Sequence, residues 1–177
     1  MKEKIFLSIV LIAGILASCS TSKNTAVNQK VYSKEDDTIL IGRVTRNILN
    51  TDSLFTDWYL PTYKKYEPNQ KIIKALHANG LKIEIFFGTW CSDSQEQVPR
   101  FMKILDEIHF PEKHLIMFAV DEKKQSPHGE DKNKNIQRVP TFIVYKGHTE
   151  IGRIIEHPTK SLEADLYKII NKQDFKE

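Results

Sequence analysis

Phe86-Phe87-Gly88-Thr89-Trp90-Cys91-Ser92-Asp93-Ser94 is an apolar run that stops at a cysteine and continues into a helical pattern. A thiol at a strand-to-helix junction lies where unpaired backbone N–H groups and the helix macrodipole both favour negative charge, and hence the thiolate. The same position also suits a small, partly buried side chain with no chemistry of its own.

On the N-terminal side, Leu81 to Phe87 is apolar nearly throughout, the signature of a central strand covered on both faces. Lys82 and Glu84 are expected near its start, where exposure costs least. Before it, Asn69 to Ala78 places Ile72, Ile73 and Leu76 on one face of a short helix, with Asn79-Gly80 as its stop. Thr38 to Val44 reads as a further strand, and Asp52 to Tyr66 carries Phe55, Trp58, Tyr59 and Tyr63 at helical spacing. That stripe is read as core packing, with Pro61 expected to interrupt the helix or begin a turn.

On the C-terminal side, Val98, Phe101, Met102, Leu105 and Ile108 recur at spacings of three and four, predicting an amphipathic helix. Ser92 or Asp93 is the expected cap, Gln95 or Glu96 suits the first turn, and Pro99 falls inside, where a kink is expected. Leu115 to Val120 is another strand, ending at Asp121. Glu122 to Asn135 is charged, contains Pro127 and Gly129, and reads as a solvated loop whose His128 is an exposed side chain rather than a metal ligand. Thr141 to Tyr145 and Glu150 to Ile155 flank Lys146-Gly147-His148 as a hairpin, and Thr159 to Asn171 closes the chain as a helix. Helix, strand, helix, strand, loop, hairpin and helix in that order argue for an α/β fold, a mixed sheet with helices on both faces.

At 177 residues and 40% hydrophobic content the chain supports one domain with appendages. Twenty-six Lys and Arg stand against 23 Asp and Glu, interspersed, and a net charge of +3 makes no case for nucleic-acid binding. The first residues have the layout of an export signal: Lys2 and Lys4, an apolar stretch from Ile5 to Leu16, then Ala17 and Ser18 before Cys19. The stretch is about 12 residues, short of the roughly 20 that span a bilayer as a helix. Leu16-Ala17-Ser18-Cys19 resembles the lipobox of bacterial lipoproteins, which implies cleavage before Cys19, lipid on its sulfur and an anchor in the cell envelope. An ordinary cleaved signal would instead leave Cys19 a free thiol. The layout expected is a signal at residues 1–18, a lipidated Cys19 with a polar tether to residue 37, an N-terminal extension at 38–68 and the main domain at 69–177. The tether lacks an acidic run after Cys19, which is read as periplasm-facing. A lipidated Cys19 cannot pair with Cys91, so the mature chain is expected to hold a single reactive thiol in an oxidising compartment.

Trp90-Cys91 at the start of a Pro99-bearing helix, with Arg138-Val139-Pro140-Thr141-Phe142 entering the hairpin, resembles the thioredoxin family over about residues 69–171. The resemblance implies a thioredoxin-like sheet, a reactive Cys91, a cis-proline at Pro140 facing it, and substrate contacts from Trp90, Val139, Pro140 and Thr141. It implies protein or small-molecule thiols and disulfides as partners; no cofactor and no metal are expected, and oligomeric state is left open. Two positions depart from the pattern. Ser94 stands where the family has its second cysteine, and serine cannot close a disulfide. Ile85 stands where many members have a buried aspartate. These departures exclude a dithiol reductase and leave monothiol exchange through Cys91, with Ser94 Oγ placed to hydrogen-bond the thiolate from the next helical turn. A longer connection between Asp121 and Pro140 is expected to lay a charged flap near the thiol. The alternative is a non-catalytic binding or scaffold module of the same fold; a single-cysteine peroxidase finds no supporting Thr-x-x-Cys pattern.

Overall fold

A computed structural model describes residues 26–35 and 37–172. The export signal at 1–18 and the lipid attachment at Cys19 lie outside the described residues. In chain order the elements are β1 (Gln29–Tyr32), β2 (Thr38–Val44), α1 (Arg46–Thr51), α2 (Ser53–Lys65), α3 (Gln70–Ala75), β3 (Leu81–Phe87), α4 (Ser92–Glu107), β4 (Leu115–Ala119), β5 (Thr141–Lys146), β6 (Thr149–Ile155) and α5 (Leu162–Asn171). The strands form one mixed sheet in the order β1-β2-β4-β3-β5-β6. β3 and β4 run parallel, with Ile85 opposite Met117, and the other neighbours are antiparallel.

The side-chain period of two divides β3 between the faces of the sheet. Leu81, Ile83, Ile85 and Phe87 join the larger core with Met117, Phe142 and Val144, and every helix contributes to it, including Phe55 and Tyr59 of α2, Phe101 and Met102 of α4, and Leu166 of α5. Phe86 lies on the other face with Val120, Val139, Ile143 and Tyr145, joined by Phe118, Trp90, Cys91 and Ile136. Helices flank the mixed sheet, all of them drawing on the larger core, and this second cluster draws no helical side chain. The 121–140 connection supplies part of its cover through Ile136 and Val139.

Several local expectations change. Residues 29–32, read as tether, form an edge strand paired with Thr38–Ile41. Backbone pairing holds β1 while its side chains stay largely exposed, so no buried alternation marks it in the sequence. α2 runs through Pro61, because Pro61 sits on its exposed side while Phe55 and Tyr59 are buried and Tyr59 stacks on Tyr63 at 6.0 Å. α3 is shorter than expected and ends at Ala75. The chain turns out at Leu76, which is buried, and Gly80 (φ +72°) makes the turn into β3. Glu84, expected at an exposed strand end, is 5% exposed at the middle of β3.

Candidate active site

The parallel β3–β4 pair brings the chain to the end of the sheet at Phe87 and Ala119, and the turn Gly88–Trp90 leads from there into α4. Cys91 N donates to Gly88 O (3.1 Å), closing that turn. Cys91 is itself the N-cap of α4; Ser92 and Asp93, expected as caps, are the first two residues of the helix. The thiol is half-buried and unpaired, at a position where backbone N–H groups have no helical partner.

Four contacts fix the turn. Thr89, 5% exposed, accepts from Leu40 N (3.1 Å), tying it to β2. Gln95 Nε2 donates to Thr89 O (2.8 Å) from the first turn of α4. Trp90 Nε1 donates to Val120 O (2.9 Å), laying the indole beside β4, with Lys124 Nζ 5.7 Å from the ring centroid. Ser94, fully buried, accepts from Gly88 N (3.2 Å). The contact that Ser94 makes is thus with the turn backbone, not the contact with the Cys91 sulfur expected from their spacing. Gly88 is required by close approach: a Cβ there would lie 2.5 Å from the Trp90 ring.

The Val139–Pro140 peptide bond is cis, and Cys91 Sγ–H donates to Val139 O at 3.4 Å. Trp90 and Cys91 thus lie in one cluster with Val139, far away in the chain. Thr141 Oγ1 donates to Arg138 O (2.7 Å), bracing the cis turn, while Glu156 N donates to Pro140 O (2.7 Å). Ile85 is buried in the larger core with no acidic group in its place. Asp121 does not end β4, which stops at Ala119; its carboxylate accepts from Lys123 N (2.9 Å) and Gln125 N (2.8 Å), starting the long connection.

Sequence reading missed the surrounding charges. Asp93 Oδ1 lies 3.4 Å from His157 Nε2, and Arg138 pairs with Glu156 at 2.6 Å. Both pairs join the thiol side of the site to the segment after β6, a juxtaposition created by strand pairing and marked by no local motif. Among the described residues no three His, Cys, Asp or Glu side chains converge to hold a metal ion, and no helix is long and apolar enough to cross a membrane.

A thiol capping a helix that leaves the central strand, facing the carbonyl before a cis-proline, is a thioredoxin-type site. The family model for thioredoxin matches residues 63–171, and the chain belongs to the thioredoxin family. A thioredoxin of Aspergillus fumigatus is 28% identical over 102 residues, covering 57% of this chain and 89% of its own. An H-type thioredoxin of Brassica campestris is 26% identical over 102 residues, covering 56% and 76% respectively. Among solved structures, a Pseudomonas aeruginosa protein of unknown function superposes with a TM-score of 0.55 at 11% identity, over 75% of this chain and 94% of its own, a likeness of fold.

Proposed function

We propose that the protein is an envelope-anchored thiol–disulfide exchange factor that works through Cys91 alone. The observation that carries this reading is the half-buried Cys91 sulfur at the head of α4, 3.4 Å from Val139 O, with a serine at position 94. The Cys91 thiolate attacks one sulfur of a disulfide; a Cys91–substrate disulfide forms and the second substrate sulfur leaves as thiolate. Ser94 cannot displace the bound substrate, so an external thiolate attacks the mixed disulfide, takes the substrate sulfur and returns Cys91 as thiolate. The cis peptide at Val139–Pro140 presents backbone to an extended segment of the substrate, and Trp90 bounds the site on the other side. A lipid on Cys19 holds the domain at the periplasmic face of an envelope membrane.

Mass spectrometry of the purified Cys19→Ser protein after incubation with oxidised glutathione tests the exchange. One adduct per chain on Cys91, stable until a second thiol is added and lost in Cys91→Ala, is expected. Absence of any adduct, together with no client disulfides trapped on Cys91 in envelope extracts, would leave a thioredoxin-fold binding module as the better description.

A further inference from the structure

The second face of the sheet holds a group the thiol chemistry does not use. Glu84 points onto that face from the central strand, where an apolar side chain would be the ordinary choice. Its Oε2 accepts from Lys134 Nζ (2.5 Å) and Tyr145 Oη (3.1 Å), and its Oε1 lies 2.7 Å from Lys82 Nζ. Lys134 also donates to Tyr145 Oη (2.9 Å), and its carbonyl accepts from Arg153 of β6 (2.9 Å). Lys134 is the one contributor from the long connection, and the sheet contributes the rest. Directly after it, Ile136 packs in the cluster that contains Trp90 and Cys91, Arg138 pairs with Glu156, and Val139 O meets the sulfur.

We propose that Glu84 and Lys134 are positioning residues: the pair between the buried Glu84 carboxylate and the partly exposed Lys134 ammonium latches the 134–140 segment to the sheet and so sets the Val139 carbonyl opposite Cys91 for substrate docking. The functional half of this rests on the thiol-exchange reading above. An ion pair on a buried carboxylate need give no more stability than well-packed apolar side chains of similar size, whereas its hydrogen bonds are directional and apolar contact is not. The pair is therefore placed to specify where the connection sits. Asn133 and Asn135, on either side of Lys134, both take left-handed backbone (φ +63° and +53°), so the chain bends sharply around the latch.

The test compares wild type with Glu84→Met, Lys134→Met and the double variant, all in Cys19→Ser protein. The double variant removes both charges, so no unpaired charge is left buried and melting close to wild type is expected. Trypsin cleavage after Arg138 under native conditions reads the latch directly. It is expected to accelerate about tenfold in the double variant, a change equal to about 1.4 kcal/mol of local closing free energy. Exchange with a peptide disulfide is expected to slow by about the same factor, while alkylation of Cys91 by iodoacetamide, which needs no docking, changes less than about twofold. Wild-type cleavage and exchange rates in the double variant would overturn the proposal, and so would a tenfold loss of alkylation, which would place the effect on the thiol itself. If the wild type exchanges no disulfide, the exchange reading falls, and the trypsin rate still decides whether the latch exists.

Discussion

Replacing Ser94 by alanine separates two roles for the residue that takes the place of a second cysteine. In the structure its hydroxyl is fully buried and accepts from Gly88 N at 3.2 Å, and Gly88 is buried too. Alanine removes the acceptor and leaves an N–H inside the protein without a partner, a loss of about 2 kcal/mol within the 1–3 range for such groups. For a chain of this size that lowers the melting temperature by roughly 4–8 °C. Thermal or urea unfolding of Ser94→Ala, Cys91→Ala and the double variant closes a mutant cycle. If Ser94 serves Gly88, the two substitutions add to within about 0.5 kcal/mol, since the cysteine sulfur is not its partner. Mixed-disulfide formation at Cys91 in Ser94→Ala should then fall only a few-fold, through loosening of the turn. Unchanged stability with a loss of exchange beyond about a hundredfold would refute this assignment and give Ser94 to the sulfur instead.

Gly88→Ala places a Cβ 2.5–2.9 Å from three atoms of the Trp90 ring. About 1–3 kcal/mol of overpacking and displacement of the indole from Val120 O are expected, read as a red shift of Trp90 emission in a Trp58→Phe background; unaltered emission would count against the close fit. Burial alone would raise the Glu84 carboxyl, but hydrogen bonds from Lys134 and then Lys82 outweigh it and hold the group below its ordinary range. A lowered folded-state value stabilises above the unfolded Glu range, near about 4.3, and the contribution is lost as pH falls through the folded value. Melting of wild type and Glu84→Gln should thus differ by about 1–2 kcal/mol at pH 6, below the figure for a fully buried pair because both lysines reach solvent, and converge toward pH 3. A gap that widened on acidification would reverse the sign argued here. Cys19→Ser should release the protein from the membrane fraction of its cells; an unaltered membrane share would remove the lipid anchor from the description.

The site was legible where its chemistry is covalent or backbone-bound. Cys91 had to head α4 because an apolar strand run and a helical run of period near 3.6 meet there, and Pro140 preceded a hairpin whose turn residues are local. Ser94 illustrates the limit of that reading. Its spacing from Cys91 placed both on consecutive helical turns, yet the hydroxyl is taken by Gly88 N, whose position depends on how Trp90 packs across to Val120. Pro61 erred for a related reason, since propensity argued for a break while tertiary burial of Phe55 and Tyr59 held the helix. β1 was invisible because an edge strand held by backbone hydrogen bonds leaves little mark on side-chain pattern.

By itself the sequence determined the alternation of strands and helices, the thiol at the strand-to-helix junction, the single-cysteine character of the motif and a proline just before the hairpin. These follow from periodicity and from residues whose chemistry or backbone restriction acts within a few positions. Tertiary structure alone decided that Glu84 is buried and meets Lys134, that Thr89 secures β2 to the site, and that His157 and Glu156 stand beside Asp93 and Arg138. Each is a contact across sheet neighbours or a long connection, where strand order and loop path set the distance and no interval in the sequence encodes it.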